Sequence, residues 1–415
     1  MVSMMIRMDS LIKSIAAALD AVEKEQLGAS DNHGKRIAVL CANMGKLLGK
    51  TTEEITGLTS CALLHDNALT EYIFASRIAG HYDPVMKKHC EYGQRNADIL
   101  KFNTDIKDFI LYHHERADGK GPYRKMEGEC PLEAELIAIA DSIDVINHLQ
   151  TIKQDKLDSI YNFIKQETGK RYGKTAANAM LEVMNYQMIE SLRDDVIDET
   201  ARDILTPWEL PINDEIIFNL VGFITRIIDY KSLFTKQHSI QIANIAWHMG
   251  DYYNYQKEER LKLYLAAALH DIGKLETPTA ILEKPDKLTD EEFAIIKDHV
   301  RITWELLKNI DGFQDIRAWA SNHHEKLNGT GYPFGKKEND LDFNSRLMAC
   351  IDIYQAVSEE RPYHPSRNQK SAFQILNSIA DNGGIDKNIV NDLSIALSRY
   401  DDIDLPSPEI VNINH

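Results

Sequence analysis

The chain of 415 residues has no uninterrupted apolar run approaching the roughly 18 residues that a membrane-spanning helix needs. Met1 to Leu19 does not resemble a secretion signal either. Arg7, Asp9 and Lys13 interrupt its apolar residues, and no small-residue cleavage site follows. A cytoplasmic protein without a membrane partner is expected. Cysteines are few: Cys41, Cys61, Cys90, Cys130 and Cys350 are scattered, with no Cys-x-x-Cys pair. That pattern argues against a disulfide framework and against a thiolate zinc site. Positive charge is also short. With 47 Lys and Arg against 64 Asp and Glu the net charge is -17, a poor basis for a polymeric nucleic-acid interface, whose affinity rests on neutralising phosphates. A small phosphate-bearing substrate is still compatible, because divalent cations in a pocket outweigh distant surface acids.

Proline (12) and glycine (21) are modest, and alternating apolar-polar stretches are scarce, so hairpin-built β architecture is not expected. Helical periodicity is plentiful. Leu261, Tyr264, Leu265, Ala268 and Leu269 form an i, i+3, i+4, i+7, i+8 stripe, and Ile37, Leu40, Cys41 and Met44 form another. An all-α protein follows. Its length suits two domains. Thr206-Pro207-Trp208-Glu209-Leu210-Pro211 carries two prolines, each disfavouring helix at the residue before it. The expected organisation is a first domain over 1–205, a linker at 206–213 and a second domain over 214–415.

An internal repeat supports that division. The first half contains His33, His65-Asp66, His89, His113-His114 and Asp141; the second contains His238, His270-Asp271, His299, His323-His324 and Asp352. The first interval is 32 residues in both halves (33 to 65, 238 to 270), and the third is 24 in both (89 to 113, 299 to 323). The stretch between His-Asp and the lone histidine differs, 24 against 29 residues (65 to 89, 270 to 299), and the last interval differs by one, 27 against 28 (114 to 141, 324 to 352). Ten of the 15 histidines fall in these series, so duplication explains them better than chance. His81, His148, His248, His364 and His415 lie outside and read as surface or core residues.

Each series offers five imidazoles and two carboxylates, a surplus over what one tetrahedral ion can use. Nitrogen and carboxylate ligands without thiolates suit iron or manganese, with zinc and nickel as alternatives. For the second half the reading is two divalent ions. His238, His270 and Asp352 would hold one; His299, His323 and His324 would hold the other, and Asp271 would bridge. Ions about 3.5–4 Å apart can activate water and clamp both oxygens of a phosphodiester undergoing displacement. A lone His-Asp pair or an isolated buried aspartate would carry no such weight, since capping or ion pairing explains either. The ordered repeat is what carries it.

At these residues the chain resembles the HD-GYP family, a branch of the HD-domain metal phosphohydrolases. The second half shows His270-Asp271-Ile272-Gly273-Lys274, His299, His323-His324-Glu325, Gly331-Tyr332-Pro333, Asp352 and Arg361-Pro362-Tyr363. The resemblance implies an all-helical fold, a metal-rich site and hydrolysis of cyclic di-GMP or cyclic GMP-AMP to the linear dinucleotide and onward to mononucleotides. It implies a catalytic role for Asp271 and Lys274, with Lys274 touching a substrate phosphate. Gly331, Tyr332 and Pro333 would shape the nucleotide pocket, and Arg361 would grip a phosphate or a base. Two departures are present. Phe234 stands where some members carry a glutamate for a third metal, and Asn328 stands where an aspartate is common.

The first half resembles the same domain without its substrate apparatus. It keeps a second candidate metal set, His33, His65, Asp66, His89, His113, His114 and Asp141. It has Leu69 at the position of Lys274, Gly121-Pro122-Tyr123 in place of Gly-Tyr-Pro, and Gln150 at the position of Arg361. A tandem HD-[HD-GYP] protein is implied. A cyclic-dinucleotide receptor with little turnover, or a general HD nucleotide phosphohydrolase, are the competing expectations.

Overall fold

The apolar stripes become helices because each can be buried along one side, and the polar residues before them cap the free N–H groups. Thr51 and Glu54, and again Thr289 and Glu292, form reciprocal capping boxes. Asn213, Asp342 and Asn368 each accept from a backbone N–H two or three residues into the helix that follows. The computed structural model describes residues 5–79, 87–151, 156–202, 204–233, 237–359 and 368–399. Among these the fold is all-helical, apart from a short ribbon of Met5–Arg7 paired with Glu209–Pro211. No described helix is long and apolar enough to cross a membrane.

The chain divides into two units, residues 7–209 and residues 210–415 together with 1–6. The stretch 206–213, expected as a linker, contains the strand Glu209–Pro211. In the first unit the helix His33–Leu47 packs on Thr52–Leu63, Leu132–Asn147 and Lys174–Val183. In the second unit His238–Tyr252 packs on Lys257–Leu269 and Phe343–Ser358, while Lys257–Leu269 also meets Asp214–Asp229 and Gln314–Ser321. The stripe Ile37, Leu40, Cys41 and Met44 is buried as its spacing requires. The stripe in Lys257–Leu269 is wider than expected: Leu263, Ala266 and Ala267 are buried along with Leu261, Tyr264, Leu265, Ala268 and Leu269. This helix is enclosed on all sides over its last turns, and each large apolar side chain contributes about 1.5–3 kcal/mol. It ends at His270, so an element buried over its last turns delivers the His-Asp pair.

Candidate metal centre

The two series occupy equivalent places in their units. His33 and His238 each open a helix, after Asn32 and Gln237 in the left-handed backbone region (φ 60° and 69°). His65-Asp66 follow the helix Thr52–Leu63, and His270-Asp271 follow Lys257–Leu269. His89 and His299 lie within the helices Lys87–Asp98 and Asp290–Leu307, and Asp141 and Asp352 lie within Leu132–Asn147 and Phe343–Ser358. His113-His114 and His323-His324 sit in turns.

In the second unit the side chains converge. Candidate ligand atoms gather as His238, His270 and Asp352, and as His299, His323 and His324, each set within 4.8 Å. Asp271 lies between the sets and faces both. Its Oδ2 is 3.2 Å from His270 Nε2 and 3.6 Å from His238 Nε2; its Oδ1 is 3.2 Å from His299 Nε2 and 3.9 Å from His323 Nε2. Asp352 reaches His238 Nε2 through Oδ1 at 3.8 Å and His324 Nδ1 through Oδ2 at 3.5 Å.

The imidazoles are aimed by what their other nitrogen does. His270, His299 and His323 each donate Nδ1–H to the carbonyl three residues back, of Ala267, Ile296 and Ala320, at 2.6, 2.6 and 2.7 Å. That tautomer leaves the Nε2 lone pair facing inward, as a metal ligand requires. His238 Nδ1 is 3.0 Å from Glu359 Oε2. Burial disfavours the charged Asp271 carboxylate, yet His270 and Lys274 hold it well below the usual carboxylate range. Burial pushes His323 well below its ordinary pKa, with His324 and His270 adding to it, and burial takes His324 down to about 4. Burial opposes a charge on His270, yet Asp271 beside it raises that imidazole's pKa above the ordinary value. Neutral His323 and His324 beside an ionised Asp271 are protonation states that divalent ions bind, and an ion would take the place of the His270 proton.

A cation fits this arrangement. His270 Nε2 and Asp271 Oδ1 are buried with no hydrogen-bond partner among the described residues, and so are Asp66 Oδ1, His113 Nε2 and His114 Nε2 in the first unit. Polar atoms buried in that way cost free energy unless an ion or water satisfies them.

The first unit gathers its series differently. Asp66 Oδ1 faces His89, His65 and His113, at 2.8, 3.7 and 3.8 Å. Candidate ligand atoms gather as Asp66, His89, His113 and His114, and as Glu23, His33 and His65. His33 Nε2 lies 3.3 Å from Asp141 Oδ1 and 3.9 Å from Glu23 Oε2. Glu23 was not among the residues expected from sequence. Burial, reinforced by Asp66, pushes its carboxyl well above the usual range. Nothing in its spacing could have signalled it, because it sits on the preceding helix, Met8–Leu27. Other missed residues were legible. Asp144, whose Oδ2 is 2.6 Å from His33 Nδ1, is one helical turn beyond Asp141; Glu359 is two turns beyond Asp352.

Of the expected substrate residues, Lys274 Nζ lies 2.5 Å from Asp271 Oδ2. The 3-10 turn Ile272–Glu276 carries it there. That turn needs Gly273, because a Cβ would overlap the carbonyl oxygen of His299. Gly331 is likewise required, since its Cβ would strike Glu325 and Lys326 backbone. The Tyr332 ring faces the His324 ring, with centroids 4.9 Å apart. Glu325, also missed from sequence, ties the loop down: its two oxygens accept from Phe334 N at 2.7 Å and Lys336 N at 2.9 Å. Asn328 accepts from Thr330 N and Thr330 Oγ1 at 3.1 and 2.7 Å. Arg361 and Phe234 lie outside the described residues, as do His81, His364 and His415. His248 is buried and His148 exposed, and neither belongs to a candidate ligand group among the described residues.

HD domain models match residues 223–389 and residues 31–146. The fold and the paired histidine–aspartate centres therefore define a tandem HD-domain protein. The chain belongs to the HD-GYP family, in its tandem form. It is 27% identical to the 3'3'-cGAMP-specific phosphodiesterase 1 of Vibrio cholerae, over 90% of this chain and 88% of that protein. It is 29% identical to the 3'3'-cGAMP-specific phosphodiesterase 3 of the same organism, over 75% of this chain and 69% of that protein. A cyclic di-GMP phosphodiesterase of Thermotoga maritima is 27% identical over 49% of this chain and 55% of its own length. The crystal structure of a cyclic GMP-AMP specific phosphodiesterase from V. cholerae superposes with a TM-score of 0.67 at 22% identity, covering 95% of this chain and 98% of that one. The two share a fold.

Proposed function

We propose that this protein is a metal-dependent phosphodiesterase that opens a cyclic dinucleotide at its C-terminal centre, giving the linear dinucleotide and then mononucleotides. The observation that carries this reading is Asp271, with one carboxylate oxygen toward His238 and His270 and the other toward His299 and His323. His238, His270 and Asp352 would hold one divalent ion, His299, His323 and His324 a second, and Asp271 would bridge. Iron or manganese suits this donor set best, with zinc or nickel able to substitute. Bound divalent ions supply acidity to water and offset charge building on the phosphodiester oxygens.

The chain's own residues supply the rest. Lys274, beside Asp271, is placed to touch a non-bridging phosphate oxygen or protonate the departing alkoxide. Tyr332 forms a wall against the His324 ring, and Glu325 keeps that wall in position. Arg361 is retained as a phosphate or base grip from its place in the sequence. The two relatives matched across most of the chain are named as specific for 3'3'-cGAMP, which supports that substrate ahead of cyclic di-GMP. The N-terminal centre keeps ligands without a counterpart of Lys274, which supports a structural or regulatory role for any metal there.

The test is chromatography of each cyclic dinucleotide after incubation with protein loaded with manganese or, without air, with ferrous iron. Conversion to the linear dinucleotide is expected. Full recovery of both substrates would refute the reading.

A further inference from the structure

The helix Asp290–Leu307 that supplies His299 presents a second feature on its flank. Phe293, Lys297 and Trp304 occur at i, i+4 and i+11 and so share one side. Trp304 packs against Phe334 of the loop, with centroids 5.2 Å apart. Lys297 Nζ lies 5.8 Å from the Tyr332 ring centroid and 4.9 Å from that of Phe293, and Tyr332 in turn faces the candidate ligand His324. Phe293 is 47% exposed. Among the described residues no carboxylate pairs with Lys297, which is notable in a chain of net charge -17.

The first unit holds a related lysine in a different charge setting. Lys87 stands two residues before His89, as Lys297 stands two before His299. It too lies over a loop tyrosine, 4.8 Å from the Tyr123 centroid. Lys87, however, has an acid at the edge of its reach, Glu91 at 4.0 Å, which Lys88 holds more closely at 2.9 Å. The position equivalent to Glu91 is Arg301, which is bound to Asp298. Where the first unit sets an acid beside the lysine, the second sets a cation. A lysine resting on aromatic faces, with no acid to neutralise it, is a ready partner for an anion.

We infer that Lys297 is a substrate-binding residue: its ammonium group contacts a phosphodiester of the bound cyclic dinucleotide on the Tyr332 side, beside the exposed Phe293. This rests on the phosphodiesterase reading above. The experiment compares wild type, Lys297→Ala, Lys297→Arg and Lys87→Ala for KM, kcat and metal content with 3'3'-cGAMP, at low and high salt. Lys297→Ala is expected to raise KM about three- to tenfold with kcat moved much less. Metal content should be unchanged, and the wild-type dependence of KM on salt should flatten. Lys297→Arg should restore KM to within about twofold, and Lys87→Ala should match wild type. An active wild type with the same KM in Lys297→Ala would overturn the assignment, as would a raised KM that arginine does not restore. Absence of turnover by the metal-loaded wild type, on either cyclic dinucleotide, would instead overturn the phosphodiesterase reading and this inference with it.

Discussion

After His65-Asp66 the chain runs directly into the helix Leu69–Ala79, whereas after His270-Asp271 it makes the 3-10 turn Ile272–Glu276 that brings Lys274 onto Asp271. The difference begins one residue earlier. Gly273 lets the backbone lie against His299, with its N–H donating to Thr303 Oγ1 at 3.1 Å; the first unit has Ala68 at that position. The two units thus keep one set of candidate ligands inside different local backbones. They also brace their first histidine differently. His33 leans on Asp144, which the buried Arg36 grips at 2.7 Å, while His238 leans on Glu359, which Gln355 holds at 3.0 Å.

The comparison can be broken most decisively at the ligands. Asp271→Ala or His323→Ala is expected to lower hydrolysis by about three orders of magnitude. Asp66→Ala or His113→Ala should reduce it only partially, as steady-state assays would show. Greater loss from the first-unit changes would place the active centre in the wrong half. The next largest effect concerns the braces. Glu359→Gln should weaken metal binding in the second unit about 10- to 100-fold, read by metal titration, and Asp144→Asn should do so only in the first.

A smaller effect is expected at the loop glutamates. Glu325→Ala strips acceptors from two backbone N–H groups and should cost about 1–3 kcal/mol of stability, together with a raised KM. Glu115, which accepts from Lys125 N at 2.9 Å and from Tyr123 N, should cost similar stability on removal with KM unchanged; denaturant melts and kinetics separate the two. The smallest effect is a pH response. Burial, then Arg260, lowers the pKa of His248, while the first unit has Asn43 at that position. A lowered pKa means the unfolded chain binds the extra proton more readily, so stability falls as pH drops below about 6.5. His248→Asn should flatten that acid limb in thermal melts, and an unchanged limb would exclude His248 as its source.

Much of this was legible without coordinates. The helical fold followed from apolar periodicity, and the two candidate centres followed from a duplicated order of histidines and aspartates. Asp144 and Glu359 could also have been found, because each follows a candidate ligand by whole helical turns on the same face. Glu23 could not. It meets His33 from another helix, and no spacing rule links two helices whose packing is not yet known.

The amino-acid order by itself determined the kinds of ligand, their duplication and the helices that carry them, since these depend on side-chain chemistry and on local periodicity. Only tertiary structure decided that Asp271 would turn its two oxygens toward different imidazole sets, that Lys274 would reach it, and that Lys297 would lie beside Tyr332 with no carboxylate partner among the described residues. Those outcomes depend on distances between elements far apart in the chain, which the close packing of buried helices sets.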